Sequence, residues 1–297
     1  MGRTGWREAK RIVRSLGVAD AGSAFASGRE AADIGERPMT GTERTVQGPL
    51  ASAGQVEQLP LLRPSLADMA YDRLEADVVR CALRPGAEVT LQELQGFAGL
   101  GRTPVREAVK RLAADTLMVV RPRAGIQIAP IDLDREAKLL PLRRHLERFV
   151  VARAAAVAGP AQRSHMMRLA RKLRDGRDTL RVDGFNALDR QIDRVILTAA
   201  GEPFLEHSLR PLRTLSRRGG WLCVTYLPTI SRLSEAIDCH IAVLDAVVRR
   251  DVDAAEGAAD RLVDVAERML EALERGVDPT LLDARLDADV AAVMTPE

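Results

Sequence analysis

The chain has 297 residues, 46% hydrophobic but only 3% aromatic, which is enough for the cores of two domains and favours packed helices over a β-sandwich. A net charge of +2 excludes a globally basic nucleic-acid binder, so any DNA surface must be a local cluster. Cys81, Cys223 and Cys239 form no C-x-x-C pair, and no apolar run reaches the ~20 residues of a membrane span; this speaks against a disulfide framework and for a reducing, cytoplasmic setting without a membrane partner.

Residues 1–17 have the pattern of a short basic amphipathic helix with Trp6, Ile12, Val13 and Leu16 on one side. Glu8 and the acids that follow argue against a transit peptide. From Asp20 to Pro60 the chain is rich in Gly, Ser, Ala, Thr and Gln without periodicity, so it is expected to lack a core. Residues 1–64 are therefore expected to be a poorly ordered extension.

Order is expected from Ser65. Met69, Leu74, Val78 and Leu83 recur at helical spacing, and Arg84-Pro85-Gly86 marks a stop. Thr90 and Glu93 make a capping-box pattern for a second helix with Leu91, Leu94 and Ala98 inward. After the Gly99-Leu100-Gly101 turn, Thr103 is expected to cap a third helix with Pro104 at its first position. Val105, Ala108, Val109 and Leu112 would face the core, leaving Arg102, Thr103, Arg106 and Lys110 at the start or on the outer face. Met118–Arg123, Ala124-Gly125 and Ile126–Ile128 then suggest a hairpin carrying Arg121 and Arg123. Three helices and a basic hairpin make a winged helix-turn-helix, over residues 65–131.

Residues 132–277 are helical in pattern throughout. Candidate helices cover 134–157, 160–180, 185–200, 203–217, 231–250 and 252–275. Pro160, Gly201-Glu202-Pro203, Gly219-Gly220 and Pro228 are the expected breaks. The expected architecture is mainly α: the winged helix-turn-helix followed by an antiparallel bundle of six or seven helices, then a C-terminal tail at 278–297.

The stretch Gly101-Arg102-Thr103-Pro104-Val105-Arg106-Glu107-Ala108-Val109-Lys110-Arg111-Leu112 resembles the recognition-helix signature of GntR-family regulators. Pro85-Gly86 and Arg121-Pro122-Arg123-Ala124-Gly125 fall where that family has its turn and wing. The helical half is similar to the FCD ligand-binding domain of the FadR-type subfamily, through Leu142–Glu147, Asp189 to Pro203, and His240–Val247. Gly101, Thr116 and Gln92 depart from residues common in the family, leaving the turn into the hairpin and one DNA contact open.

The resemblance implies a transcription regulator that binds a pseudo-palindromic double-stranded DNA operator as a homodimer. Arg102 and Arg106 would read guanine in the major groove, Thr103 would anchor phosphate, and Lys110 would lie on the same outer face. Arg121 and Arg123 would flank the groove, with Gly125 letting the wing tip approach. It also implies a sensor for a small carboxylate effector, with Arg143, Asp189, Asp193 and His240 as candidate contacts. Asp189, Asp193 and His240 could form an incomplete site for a divalent metal, since Leu262 stands where a further His would fall. Alternatively the acids pair with neighbours such as Arg190 and Arg194, and Arg143 is a surface arginine. His145, His165 and His207 match no ligand position, and Trp221–Tyr226 lines either a cavity or a core. Two rival functions remain at this level: a DNA-binding dimer whose helical half only assembles, and a metal-assisted enzyme. No nucleophile elbow, phosphate loop or zincin motif supports the enzyme.

Overall fold

The Ser65 hydroxyl accepts the Asp68 N–H at 3.1 Å while the Asp68 carboxylate accepts the Ser65 N–H at 3.1 Å. This reciprocal cap starts α1 (Leu66–Val79) and is worth ~1 kcal/mol. The computed structural model describes residues 64–121, 125–228 and 232–286, which lie within one compact unit. The expected extension, most of the tail beyond Leu286 and the wing-tip residue Arg123 lie outside the described residues.

Helix α1 stops before the expected Arg84-Pro85-Gly86 signal. Arg80 caps it and Cys81 takes a left-handed φ of 53°, so Leu83 reaches the core from a turn rather than a helix face. Helix α2 (Leu91–Ala98) has the expected capping box: Thr90 donates its N–H to Glu93 Oε2 at 2.7 Å, and Glu93 donates to Thr90 Oγ1 at 3.2 Å. Gly99, at φ 59°, ends it. Helix α3 (Arg102–Ala114) begins two residues earlier than expected. Its cap is Gly101, which offers no side chain, so Thr103 sits inside the first turn and does not cap.

Strands β1 (Glu88–Val89), β2 (Met118–Arg121) and β3 (Gly125–Ile128) form an antiparallel sheet in the order β1-β3-β2. Strand β1 is an addition to the expected hairpin, held by Glu88 opposite Gln127 and Val89 opposite Ile126. Thr116, where the family resemblance expects glycine, turns the chain into β2 at φ 61°. Leu74, Leu94, Val105, Leu112, Leu117 and Ile128 are buried together as the core of this head.

Six helices form the body: α4 (Leu133–Val157), α5 (Pro160–Gly176), α6 (Val182–Ala200), α7 (Phe204–Tyr226), α8 (Leu233–Arg249) and α9 (Val252–Gly276). Val150, Leu169, Ile192, Leu209, Leu244 and Ala258 are among the buried side chains of their shared core. The expected break at Gly219-Gly220 does not occur. Helix α7 runs through it, with Leu222 and Cys223 beyond the glycines buried against Leu273 of α9. A Cβ on Gly219 or Gly220 would meet Leu273 or the Met269 sulfur at 3.6 Å, an ordinary packing distance, so the pair costs up to ~1 kcal/mol each in a helix interior without being required by the contact.

The segment expected to be a tail starts with a 3₁₀ turn at Pro279–Leu281 and then returns to the head. Ala284 donates to the Pro85 carbonyl at 2.8 Å and Ile131 to the Leu282 carbonyl at 2.9 Å. Among the described residues no helix is long and apolar enough to cross a membrane, and all three cysteines are free.

Candidate DNA-reading face and effector cavity

Helix α3 buries Val105, Ala108, Val109 and Leu112 and thereby turns its opposite side outward. Arg102, Arg106 and Lys110 recur every four residues on that side, and with Thr103 they are all exposed. Arg102 and Arg106 make no hydrogen bond or ion pair with the described residues, so both guanidiniums are available to a partner. Lys110 pairs with Glu107 at 3.0 Å on the surface, a contact worth at most a few tenths of a kcal/mol. Arg121 lies on the wing, donating to Gln127 Oε1 at 2.8 Å with Glu88 at 3.7 Å, and is directly opposite Gly125. Gly125 has a φ of 97°, so a side chain there would be strained.

The second cluster is internal. Asp189, from α6, and His240, from α8, meet as the sequence suggests: His240 Nε2 lies 2.8 Å from Asp189 Oδ1. His240 Nδ1 lies 2.7 Å from the Ala236 carbonyl, an acceptor only. Both ring nitrogens therefore donate, which makes the ring an imidazolium. Burial opposes that charge, but the Asp189 carboxylate outweighs it and raises the His240 pKa. Burial likewise opposes ionisation of Asp189, and His240 with Arg217 holds its carboxyl far below the usual range. Phe185 packs edge-on to the imidazole at 5.2 Å.

Arg213 and Arg217, on successive turns of α7, were not among the sequence candidates, yet they organise the site. Arg217 Nη1 donates to Asp189 Oδ2 at 3.1 Å and to Asp193 Oδ2 at 2.7 Å. Arg213 Nη1 is 3.0 Å from Asp193 Oδ1, and its Nε donates to Glu147 Oε1 at 2.9 Å. Arg143 is buried rather than on the surface; it bonds Ser216 Oγ and lies 3.4 Å from Glu147. Burial disfavours the Glu147 carboxylate, but its two arginines win and pull its pKa to about 2. The expected alternative partners pair elsewhere, Arg190 with Glu75 and Arg194 with Asp72. The signal that could have found Arg213 and Arg217 is their spacing: with Leu209 and Leu212 they lie on the inward face of α7.

Arg143, Asp189, Arg213, Arg217 and His240 line one half-open cavity of about 60 Å³, together with apolar residues including Phe185 and Leu262. This is several times the ~10–15 Å³ that a single water requires, so the cavity has room for a small polar ligand. Trp221 lies outside this lining and donates to Asp183.

The residues do not fit a divalent metal. His240 has no free lone pair, both Asp189 oxygens accept hydrogen bonds, and the Arg217 guanidinium spans Asp189 and Asp193 where a cation would lie. Among the described residues no group of three or more His, Cys, Asp or Glu is placed to hold an ion. The expected Asp189, Asp193 and His240 metal site is thus corrected to an ion-pair cluster.

A model of the bacterial regulatory proteins of the gntR family matches residues 66–128, and a model of the FCD domain matches residues 138–265. The chain carries a GntR-type helix-turn-helix domain followed by an FCD domain. Among its relatives is the HTH-type transcriptional repressor RspR of Escherichia coli, 23% identical over 70% of this chain and 90% of that one. The HTH-type transcriptional repressor GlaR of Escherichia coli is 24% identical over 61% of this chain and 84% of its own length. In fold it is similar to Escherichia coli McbR/YncC, with a TM-score of 0.61 at 21% identity, covering 71% of this chain and 99% of the other. With these two domains the chain is a DNA-binding transcriptional regulator and not an enzyme.

Proposed function

We propose that this regulator is a cytoplasmic homodimeric repressor whose hold on a pseudo-palindromic operator is modulated by a small carboxylate. The observation that carries the sensor half of this reading is the convergence of Arg143, Arg213 and Arg217 on one small, half-open cavity. Guanidiniums offer paired donors that match a carboxylate, and the cavity's apolar walls strengthen that attraction. No metal is needed, because Arg217 supplies the fixed positive charge.

In this reading residues 65–131 bind DNA, residues 132–277 sense and dimerise, and residues 1–64 and 278–297 flank them. Arg102 and Arg106 read base edges, each worth ~1–3 kcal/mol of discrimination, while Thr103, Lys110, Arg121 and Arg123 hold backbone and Gly125 brings the wing close. Support for dimerisation comes from α4, which leaves Leu142, Phe149 and Val157 more than half exposed along its length. Pairing would set two α3 helices about 34 Å apart, one turn of DNA.

The test is enrichment of random duplexes on the full chain and on Arg106→Ala, with mass measured by sedimentation. A palindromic consensus bound by a dimer and lost in the variant is the expected result. Absence of enrichment by the wild type at low and moderate salt refutes the reading.

A further inference from the structure

The arginines that face the effector cavity also face the head. Arg213 and Arg217 line a second cleft, about 100 Å³, between α7 and α1, together with Tyr71, Glu75, Arg111 and Arg210. Arg217 spans both. Its Nη1 holds Asp189, which lines the cavity, and Asp193, which lines the cleft, while its Nη2 donates to Glu75 Oε1 at 3.2 Å on the head side. Glu75 lies in α1 beside Leu74 and is 2% exposed, so this is a buried tie between the sensor and the DNA-binding head.

The tie is unevenly held. Asp189 has His240 as a second partner at 2.8 Å, and Asp193 has Arg213 at 3.0 Å. Glu75 keeps one hydrogen bond beyond Arg217, from the Thr214 hydroxyl at 2.9 Å, with Arg190 at 3.5 Å. Its second oxygen, Oε2, is buried and accepts no hydrogen bond. With the His240 imidazolium, Arg143, Arg190, Arg213 and Arg217 outnumber Glu75, Glu147, Asp189 and Asp193 by one, so the cluster attracts an added carboxylate, which then competes with the resident ones for the guanidinium of Arg217. A guanidinium drawn toward the cavity moves away from the head.

We propose that Arg217 is the transmission residue of this regulator: an anionic effector in the cavity takes up its guanidinium and releases Glu75, loosening α1 and with it the recognition helix. The device rests on the effector reading above and deepens it. It uses a side chain of the protein where the expected site would use a metal, and so couples the cavity to the head directly. The coupling is reciprocal, so operator binding weakens effector binding by the same factor.

The test uses the full-length chain, the operator recovered by selection, and a panel of C2–C6 mono-, di- and tricarboxylates as probes. Calorimetry gives acid affinity, and fluorescence anisotropy gives operator affinity with and without acid. Glu75→Gln keeps an acceptor but removes the charge. The variant is expected to bind acid at least as tightly as wild type, because the competitor for Arg217 is weakened, to bind operator at least fivefold more weakly without acid, and to lose most of the acid response. Thr214→Val cuts another bond of the same cluster without changing charge, and is expected to move operator affinity in the same direction if Glu75→Gln does not fold. Wild-type operator affinity and wild-type acid response in these variants overturn the proposal while leaving the effector reading intact. Failure of every acid to bind wild type refutes the effector reading instead, and unchanged operator affinity of Glu75→Gln without acid then overturns the tie as well.

Discussion

Replacing Asp115 with Asn is expected to destabilise the protein by about 3 kcal/mol. Asp115 caps the C-terminal end of α3 and is 5% exposed. Its carboxylate accepts the Tyr71 hydroxyl at 2.7 Å and two bonds from Arg210 of α7, each 3.1 Å. Breaking a buried pair from one side costs ~3–5 kcal/mol, because the other charge is left unmatched. Arg210 is one-fifth exposed, keeps Glu206 at 3.6 Å and lies over the Tyr71 ring at 5.1 Å, which places the cost at the low end. Burial and the neighbouring Asp115 push the Tyr71 phenol well above its ordinary pKa, so it remains a donor at working pH. At ~2–4 °C per kcal/mol for a unit of this size, Tm should fall by about 6–12 °C. Thermal melts of Asp115→Asn, Arg210→Met and the double variant form a cycle whose losses should fall well short of additive. A fall under 2 °C for Asp115→Asn, or additive losses, would refute the reasoning.

Thr116 holds a left-handed turn that penalises a Cβ by ~1–2 kcal/mol, so Thr116→Gly should melt above Thr116→Ala by about 1 kcal/mol; equal melting would show no strain there. For His240 and Asp189 the signs are opposite. His240 has a raised folded pKa, so its contribution is complete below the unfolded value of ~6.5 and is lost as pH rises through the folded one. Asp189 has a depressed one, so its contribution is complete above ~3.9 and is lost only as pH falls through the folded value. Stability should therefore decline on the alkaline side, less so in His240→Gln, and the imidazole nitrogens should titrate above ~6.5 by NMR; a midpoint below that would contradict the ion pair. Calorimetry with Zn²⁺, Ni²⁺ and Mn²⁺ should find no one-to-one site at the FCD cavity, whereas chelator-reversible stoichiometric binding lost in Asp189→Asn would restore the metal.

The head was legible because its signals are local. The Thr90–Glu93 box and the Val105, Ala108, Val109 and Leu112 face each lie within a few residues, and each forms as expected. Strand β1 was not legible, since two residues carry no periodicity and only pairing with β3 makes them a strand. In the body, Asp189 and His240 meet as expected, and of the two alternatives the ion-pair cluster forms, though with Arg213 and Arg217 rather than Arg190 and Arg194. Gly219-Gly220 looked like a break, but Arg213 and Arg217 lay within the expected 203–217 helix, and their charge pointed outward while their spacing with Leu209 and Leu212 pointed inward. Whether an arginine is on a surface or in a core depends on what packs over it, and Glu75 and Glu147 come from helices distant in sequence.

The most direct test is anisotropy of the recovered operator duplex with the full chain, titrated with C2–C6 carboxylates at fixed pH and ionic strength. At least one acid should weaken operator binding about 5–150-fold, the ~1–3 kcal/mol of an allosteric coupling, without added metal. Operator affinity indifferent to every acid, or responsive only when a divalent ion is supplied, would contradict a sensor whose cation is Arg217.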